Sequence, residues 1–485
     1  MQLLPHLLVA LASSASALAF AQPPGEAEQA RRTAPSQQTV RPAQPLTNAR
    51  MRDDALRNDR LAYDIVEGLT TEVGPRLAGT EAEARARQWM ADRFRALGFS
   101  NVRIETYDMP VWVRGEERAE IVAPFPQPLA VTALGNSGAT GARGIEAEVV
   151  GYDSMEAFQA APAGEVRGKI VFVSHSMPRT QDGSGYGAFG AARREGPTLA
   201  SRRGAVAILV RSIGTDYHRN PHTGVQNFAE GVRPIPAGAL ALPDAEQLQR
   251  VLARAGQRPV RLRLVMTPRQ LGRRQSGNVI AEVPGSDPSA GTIMIGGHLD
   301  SWDLGTGAFD NAAGVAITTA AAHRVMRAGQ PRRTIRVIAF GAEEVGLFGS
   351  LDYFRRHREG HDVVLVSESD FGADRIWRAD FSLAPENAAL QARIAGALAP
   401  LGIVPSREPA GAGADLGHWA RTGVAAVDLN QDGTRYFDYH HTADDTLDKV
   451  DPAQLRQNVA AWTAMLLEAA NAPERIAPVP AAPPR

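Results

Sequence analysis

Short apolar runs recur along this chain, and each gives way to a stretch with helical spacing. "TIMIGGHLD" from Thr292, "TIRVIAF" from Thr334 and "DVVLVSESD" from Asp362 read as buried strands that run out into polar residues. "DNAAGVAITTAAAHRVM" and the segment around "GLFGSLDYF" follow the first two as helices. Upstream, "EAEARARQWMADRFRALGF" carries Trp89, Met90, Phe94 and Leu97 at helical spacing, with Gly98 placed to end the helix. This alternation predicts an α/β fold with a mixed, mostly parallel central sheet flanked by helices. Residues from about 118 to 275 interrupt the pattern with short strands of their own, "GKIVFVS" and "GAVAILVRS", among many glycines and prolines. They are expected to form an inserted domain.

The ends read differently. "LLPHLLVALASSASALAFA" is apolar, rich in small residues and closes on an A-x-A pattern, so residues 1–21 are expected to be a signal peptide cleaved after Ala21. Residues 22–50 are expected to be a flexible linker, and 471–485 a disordered tail. The predicted domains are then 51–117 with 276–470 as one discontinuous unit, and 118–275 as the insertion. The location that follows is periplasmic or secreted, with no membrane contact after cleavage.

Chemistry collects where the strands end. His298, Glu343, Glu344 and Asp370 follow directly after predicted strands, and Asp310 stands just before a helix. Open α/β sheets bind ligands beyond the carboxyl ends of their strands. Carboxylates crowded there repel one another and resist desolvation unless a cation neutralises them, so a divalent metal is the economical explanation. The chain has no cysteine, so any metal must sit on imidazole nitrogen and carboxylate oxygen, donors that suit zinc, with cobalt or manganese as replacements. With 52 basic and 53 acidic residues there is no electrostatic footprint for nucleic acid. Taken singly, each feature has a plainer explanation. The Glu-Glu pair suits a first helical turn, Asp310 suits a helix cap, and His323 or His357 is an ordinary helix residue. Only the ordered recurrence at strand exits favours a site.

The order H-x-D, D-N, E-E, E-S-D and H-H-T-x-x-D-T, together with "VGPRLAGT", "WVRGEE" and "PHTGVQ", resembles the co-catalytic dizinc aminopeptidases and carboxypeptidases, within them the carboxypeptidase Q branch. The resemblance runs from Val73 to about residue 468. It implies a zinc-exopeptidase fold, similar to phosphorylase/hydrolase folds, with residues 118–275 as a β-rich lid like the protease-associated module. It implies two zinc ions per chain, held by His298, Asp310 as the bridge, Glu344, Asp370 and His441. Glu343 would activate a metal-bridging water, and Asp300 would orient His298. Asp445 would support the site near His441, while His440 and Asp415 are candidates for the pocket wall. The family also carries a cis peptide at the position of Asp310–Asn311. Tyr217–Phe228 in the insertion would face substrate or a dimer mate. The implied activity is hydrolysis of short peptides, chiefly dipeptides with free termini, by a homodimer. An aminopeptidase acting on longer peptides stays open, as do a glutaminyl-cyclase-like acyltransferase and a receptor-like binding protein.

Overall fold

The computed structural model describes residues 47–480; the expected signal peptide and nearly all of the expected linker lie outside them. The linker's last residues are already helical. Asn48–Asn58 is a helix, with the Thr47 hydroxyl accepting the Arg50 N–H at its start.

Eight strands form the main sheet, in the order 100–113, 269–283, 334–340, 292–298, 363–368, 425–431, 376–382, 404–405. The middle four run parallel. Antiparallel strands flank them on both sides, as the sequence pattern predicts for a mixed sheet. Parallel strands covered on both faces must be apolar on both. Ile293 and Ile295 pack with Ile335 and Val337 under the Ala313–Ala328 helix. Met294, Ile338 and Phe340 turn to the opposite face, with Tyr353 and Trp419. Ala316, Ala320 and Ala321 are fully buried, and such small residues let the long Pro452–Asn471 helix pack close against the Ala313–Ala328 helix. The Glu81–Ala96 helix forms where its periodicity placed it, with Thr80 accepting the Glu83 N–H. Gly98, at φ +86°, turns the chain out of it.

The insertion builds a second eight-stranded sheet from strands between Glu117 and Met266. Its middle strands, 145–152, 170–173, 207–211 and 237–240, are parallel. Strands 100–113 and 269–283 pair as far as Val113 with Arg269, so the two connections to the second sheet leave the main sheet side by side. Among the described residues no helix is long and apolar enough to cross a membrane.

The carboxyl-terminal stretch corrects an expectation. Its composition argues against packing, yet Ile476 is buried in the main core. The buried Arg333 guanidinium explains why: it donates to the carbonyls of Ala469 at 3.0 Å and Ala472 at 2.7 Å, and also to that of Glu474. The Val479 N–H adds a bond to the Gly423 carbonyl at 2.7 Å. Truncating Ile476 to alanine is expected to destabilise the fold by about 2 to 5 kcal/mol, lowering the thermal unfolding midpoint. An unchanged midpoint would mean the tail contributes nothing.

Candidate active site

His298 is the last residue of its strand, and Asp310 begins the turn into the following helix. Between them the loop is fastened from inside by Arg76, which is wholly buried. Its guanidinium donates to the carbonyls of Leu299, of Thr306 at 2.6 Å and of Gly307 at 2.8 Å. Burial pulls its pKa down to about 10 against the pull of Asp445 and Asp300, so it stays a cation at neutral pH. Asp445 fixes the end of the same loop, accepting the Phe309 N–H at 2.6 Å and the Asp310 N–H at 3.2 Å. The Asp310–Asn311 peptide is cis. Capping of the helix falls to Asn311, whose side-chain carbonyl accepts the Gly314 N–H at 2.9 Å and whose amide donates to Ser369 O at 2.8 Å. Gly314 is required there, because a Cβ would stand 1.9 Å from that Ser369 carbonyl. Asp310 is thereby left to face the cleft.

Its two oxygens face different partners. Oδ1 lies 2.9 Å from His298 Nε2, which is also 3.1 Å from Asp370 Oδ1. Oδ2 lies 3.4 Å from His441 Nε2 and 3.6 Å from His440 Nε2. His441 Nε2 in turn stands 2.9 Å from Glu344 Oε2. Two groups of donors therefore meet at Asp310, His298 with Asp370 on one side and the two histidines on the other, the atoms of each group within 4.8 Å of one another. His440 belongs to the second group, nearer than a pocket-lining role required; its ring stacks on His441 at 3.5 Å.

The electrostatics are those of an acid cluster out of water. Burial, with Asp310 close by, drives the Glu344 pKa well above the usual carboxylate range. Glu343 is driven up likewise, by burial and then by Asp370 and Asp415. On His298 burial opposes charge, but Asp370 and Asp310 outweigh it and hold the imidazole pKa well above 6.5. His440 goes the other way, pushed down to about 3 by burial, and His441 is also lowered, so both are neutral donors. Glu344 Oε1 is buried and, among the described residues, has no hydrogen-bond partner. These are features of a site that takes up positive charge.

Four expectations are adjusted. The Glu-Glu pair precedes its helix, which begins only at Phe348 after Ala342 and Leu347 adopt left-handed backbone, so it is no first-turn charge pair. His298 Nδ1 meets the backbone carbonyl of Asp300 at 2.9 Å, whereas the Asp300 carboxylate is 3.7 Å away and instead accepts the Glu343 N–H at 3.1 Å. Asp300 thus positions Glu343 as well as His298. Asp445 supports Asp310 through its amide, and Asp415 sits behind Glu368, which accepts its N–H at 2.8 Å.

Sequence reasoning left the grip of the insertion unassigned. Tyr217 is exposed, but His222 and Thr223 turn inward onto the histidine pair. His222 Nδ1 lies 2.8 Å from the His440 carbonyl, and its Nε2 lies 2.8 Å from Asp216. The Thr223 N–H donates to the His441 carbonyl at 3.0 Å, while the Thr223 carbonyl lies 3.2 Å from His441 Nδ1. A carbonyl in that place fixes the ring so that Nε2 points at Asp310 and Glu344. The "PHTGVQ" stretch was the available signal; its partner, 218 residues away, was not.

A doubly covered α/β sheet with imidazole and carboxylate donors massed at its strand ends defines a metallopeptidase-type hydrolase. The family model for Peptidase family M28 matches residues 278–466. Carboxypeptidase Q of Bos taurus is 32% identical over 417 residues, 86% of each chain. A crystal structure of a Peptidase M28 precursor from Shewanella amazonensis SB2B shares 42% identity at a TM-score of 0.86, covering 90% of this chain and 98% of that one. A zinc aminopeptidase of Bacillus subtilis shares the fold, at 19% identity and a TM-score of 0.62, over 86% of this chain and 97% of its own. The chain belongs to peptidase family M28, as a carboxypeptidase Q-like member.

Asp445→Ala would strip two buried amides of their acceptor. A loss of about 1 to 3 kcal/mol per orphaned amide is expected as a lower unfolding midpoint, with Asp445→Asn, which keeps one acceptor, losing less. Equal midpoints for all three proteins would deny Asp445 this role.

Proposed function

We propose that this chain is an exported dizinc exopeptidase that hydrolyses short peptides, chiefly dipeptides with free termini. The observation that carries the reading is Asp310, which turns one oxygen to His298 and Asp370 and the other to the histidine pair. The residues suit two cations. Donor atoms of each group are close enough to share an ion, all are oxygen or nitrogen, and Glu344 Oε1 lacks a hydrogen-bond partner among the described residues. His298, Asp310 and Asp370 would hold one ion; Asp310, Glu344 and His441 the other, with His440 in reach.

Zinc bound there supplies Lewis acidity, polarising the scissile carbonyl and making water a nucleophile near neutral pH. The chain's own residues do the rest. Glu343, tied by its amide to Asp300, is not among the donors nearest Asp310, so its carboxylate is available for proton transfer. With a pKa lifted by burial it accepts the proton of the attacking water and then releases it to the leaving amine. Asp445 and Arg76 hold Asp310 in register, and the Thr223 carbonyl aims His441. The insertion, taken as 118–275, acts as a lid through the Asp216–His222–Thr223 contacts, and limits substrate length. The domain of 51–117 and 276–470 carries the chemistry. Export rests on the apolar amino-terminal segment, and a homodimer is part of the same proposal.

Glu343→Gln is expected to keep two zinc ions per chain by metal analysis while losing turnover by about 10²-fold or more. Chelation should abolish hydrolysis of unblocked dipeptides by the unaltered enzyme, and zinc should restore it. Near-normal turnover in Glu343→Gln, or activity indifferent to chelator, would contradict the reading.

A further inference from the structure

Beside Asp370 opens a cavity of about 200 Å³, walled by the carboxylates of Asp182, Glu368, Asp370 and Asp428, with no lysine, arginine or histidine among the described residues that line it. Three parts of the chain build it: the insertion supplies Asp182, the end of the 363–368 strand Glu368, and the 425–431 strand Asp428. The acids are fixed by backbone amides. Asp428 accepts the N–H groups of Gly411 at 2.7 Å and Ala412 at 3.0 Å, and Asp182 accepts that of Ser184 at 3.1 Å. Glu368, 6% exposed, accepts the amides of Asp415 and Leu416 on Oε2, at 2.8 and 3.1 Å. Gly413, at φ +74°, permits this close approach, since a Cβ would come within 2.3 Å of that oxygen. Glu368 Oε1 is buried and, among the described residues, has no hydrogen-bond partner.

A carboxylate oxygen so buried costs free energy until a donor reaches it, and none of the cavity's own side chains is a cation. The cavity is smaller than the roughly 300 Å³ of whole-ligand pockets, so it suits one side chain or terminus. Phe371 and Leu429, also in the lining, give an aliphatic stem its apolar contact. We propose that this cavity is a substrate subsite for a cationic group next to the scissile bond, an ammonium or a guanidinium. The proposal rests on the peptidase reading of the neighbouring centre.

The test measures kcat and KM of the zinc-loaded enzyme, and of Asp182→Asn and Asp428→Asn, on Lys-Ala against norleucyl-Ala, Ala-Lys against Ala-norleucine, Arg-Ala against citrullyl-Ala, and Ala-Ala against N-acetyl-Ala-Ala. If a side chain occupies the cavity, one cationic peptide is preferred to its neutral isostere by about tenfold or more, and either variant erodes that ratio through KM. If the free amino terminus occupies it, isosteres are cleaved alike, but the variants raise KM for every unblocked peptide and not for the acetylated one. Either result supports a cation subsite. Wild-type indifference to charge combined with unaltered KM in both variants overturns it, whereas absence of hydrolysis of all the peptides overturns the peptidase reading instead.

Discussion

Acidic side chains packed together away from water are the constraint on which this structure turns. Asp310, Glu343, Glu344 and Asp370 meet at the ends of parallel strands, where burial raises the pKa of three of them. His298 relieves part of that repulsion by drawing positive charge, while His440 and His441 are kept neutral. Cations seated between these groups would satisfy the remainder. Asp310 is the pivot because each of its oxygens serves a different set of neighbours.

Such a cluster would not hold its geometry unaided, and much of the surrounding chain is committed to that task. Arg76 ties the loop after His298 by three carbonyls, Asp445 ties the amides at its far end, and Asn311 joins helix to strand. From a loop of the insertion, His222 and Thr223 fix the histidine pair. The insertion therefore holds part of the centre in place. Arg179 adds to the same seam by pairing with Asp438, one turn before the histidines.

How much of this the sequence disclosed follows from what kind of signal each feature leaves. Strands such as Thr292–His298 and the Ala313–Ala328 helix write their burial into local periodicity, so fold class and the placing of His298, Glu344 and Asp370 beyond strand ends were readable. Asp310 was separable from a helix cap only in three dimensions, where Asn311 does the capping. Arg76 and Arg333 look like surface cations, because a guanidinium bound to carbonyls over a hundred residues distant leaves no local pattern. The same holds for Ile476, whose Pro- and Ala-rich surroundings suggested an unpacked tail, and for the cavity acids, which come from three separate segments.

Anomalous diffraction at the zinc edge, from crystals of the zinc-loaded protein, addresses the central claim most directly. Two peaks are predicted, one among His298, Asp310 and Asp370 and one among Asp310, Glu344 and His441. A single peak, or none in contact with Asp310, would contradict the account.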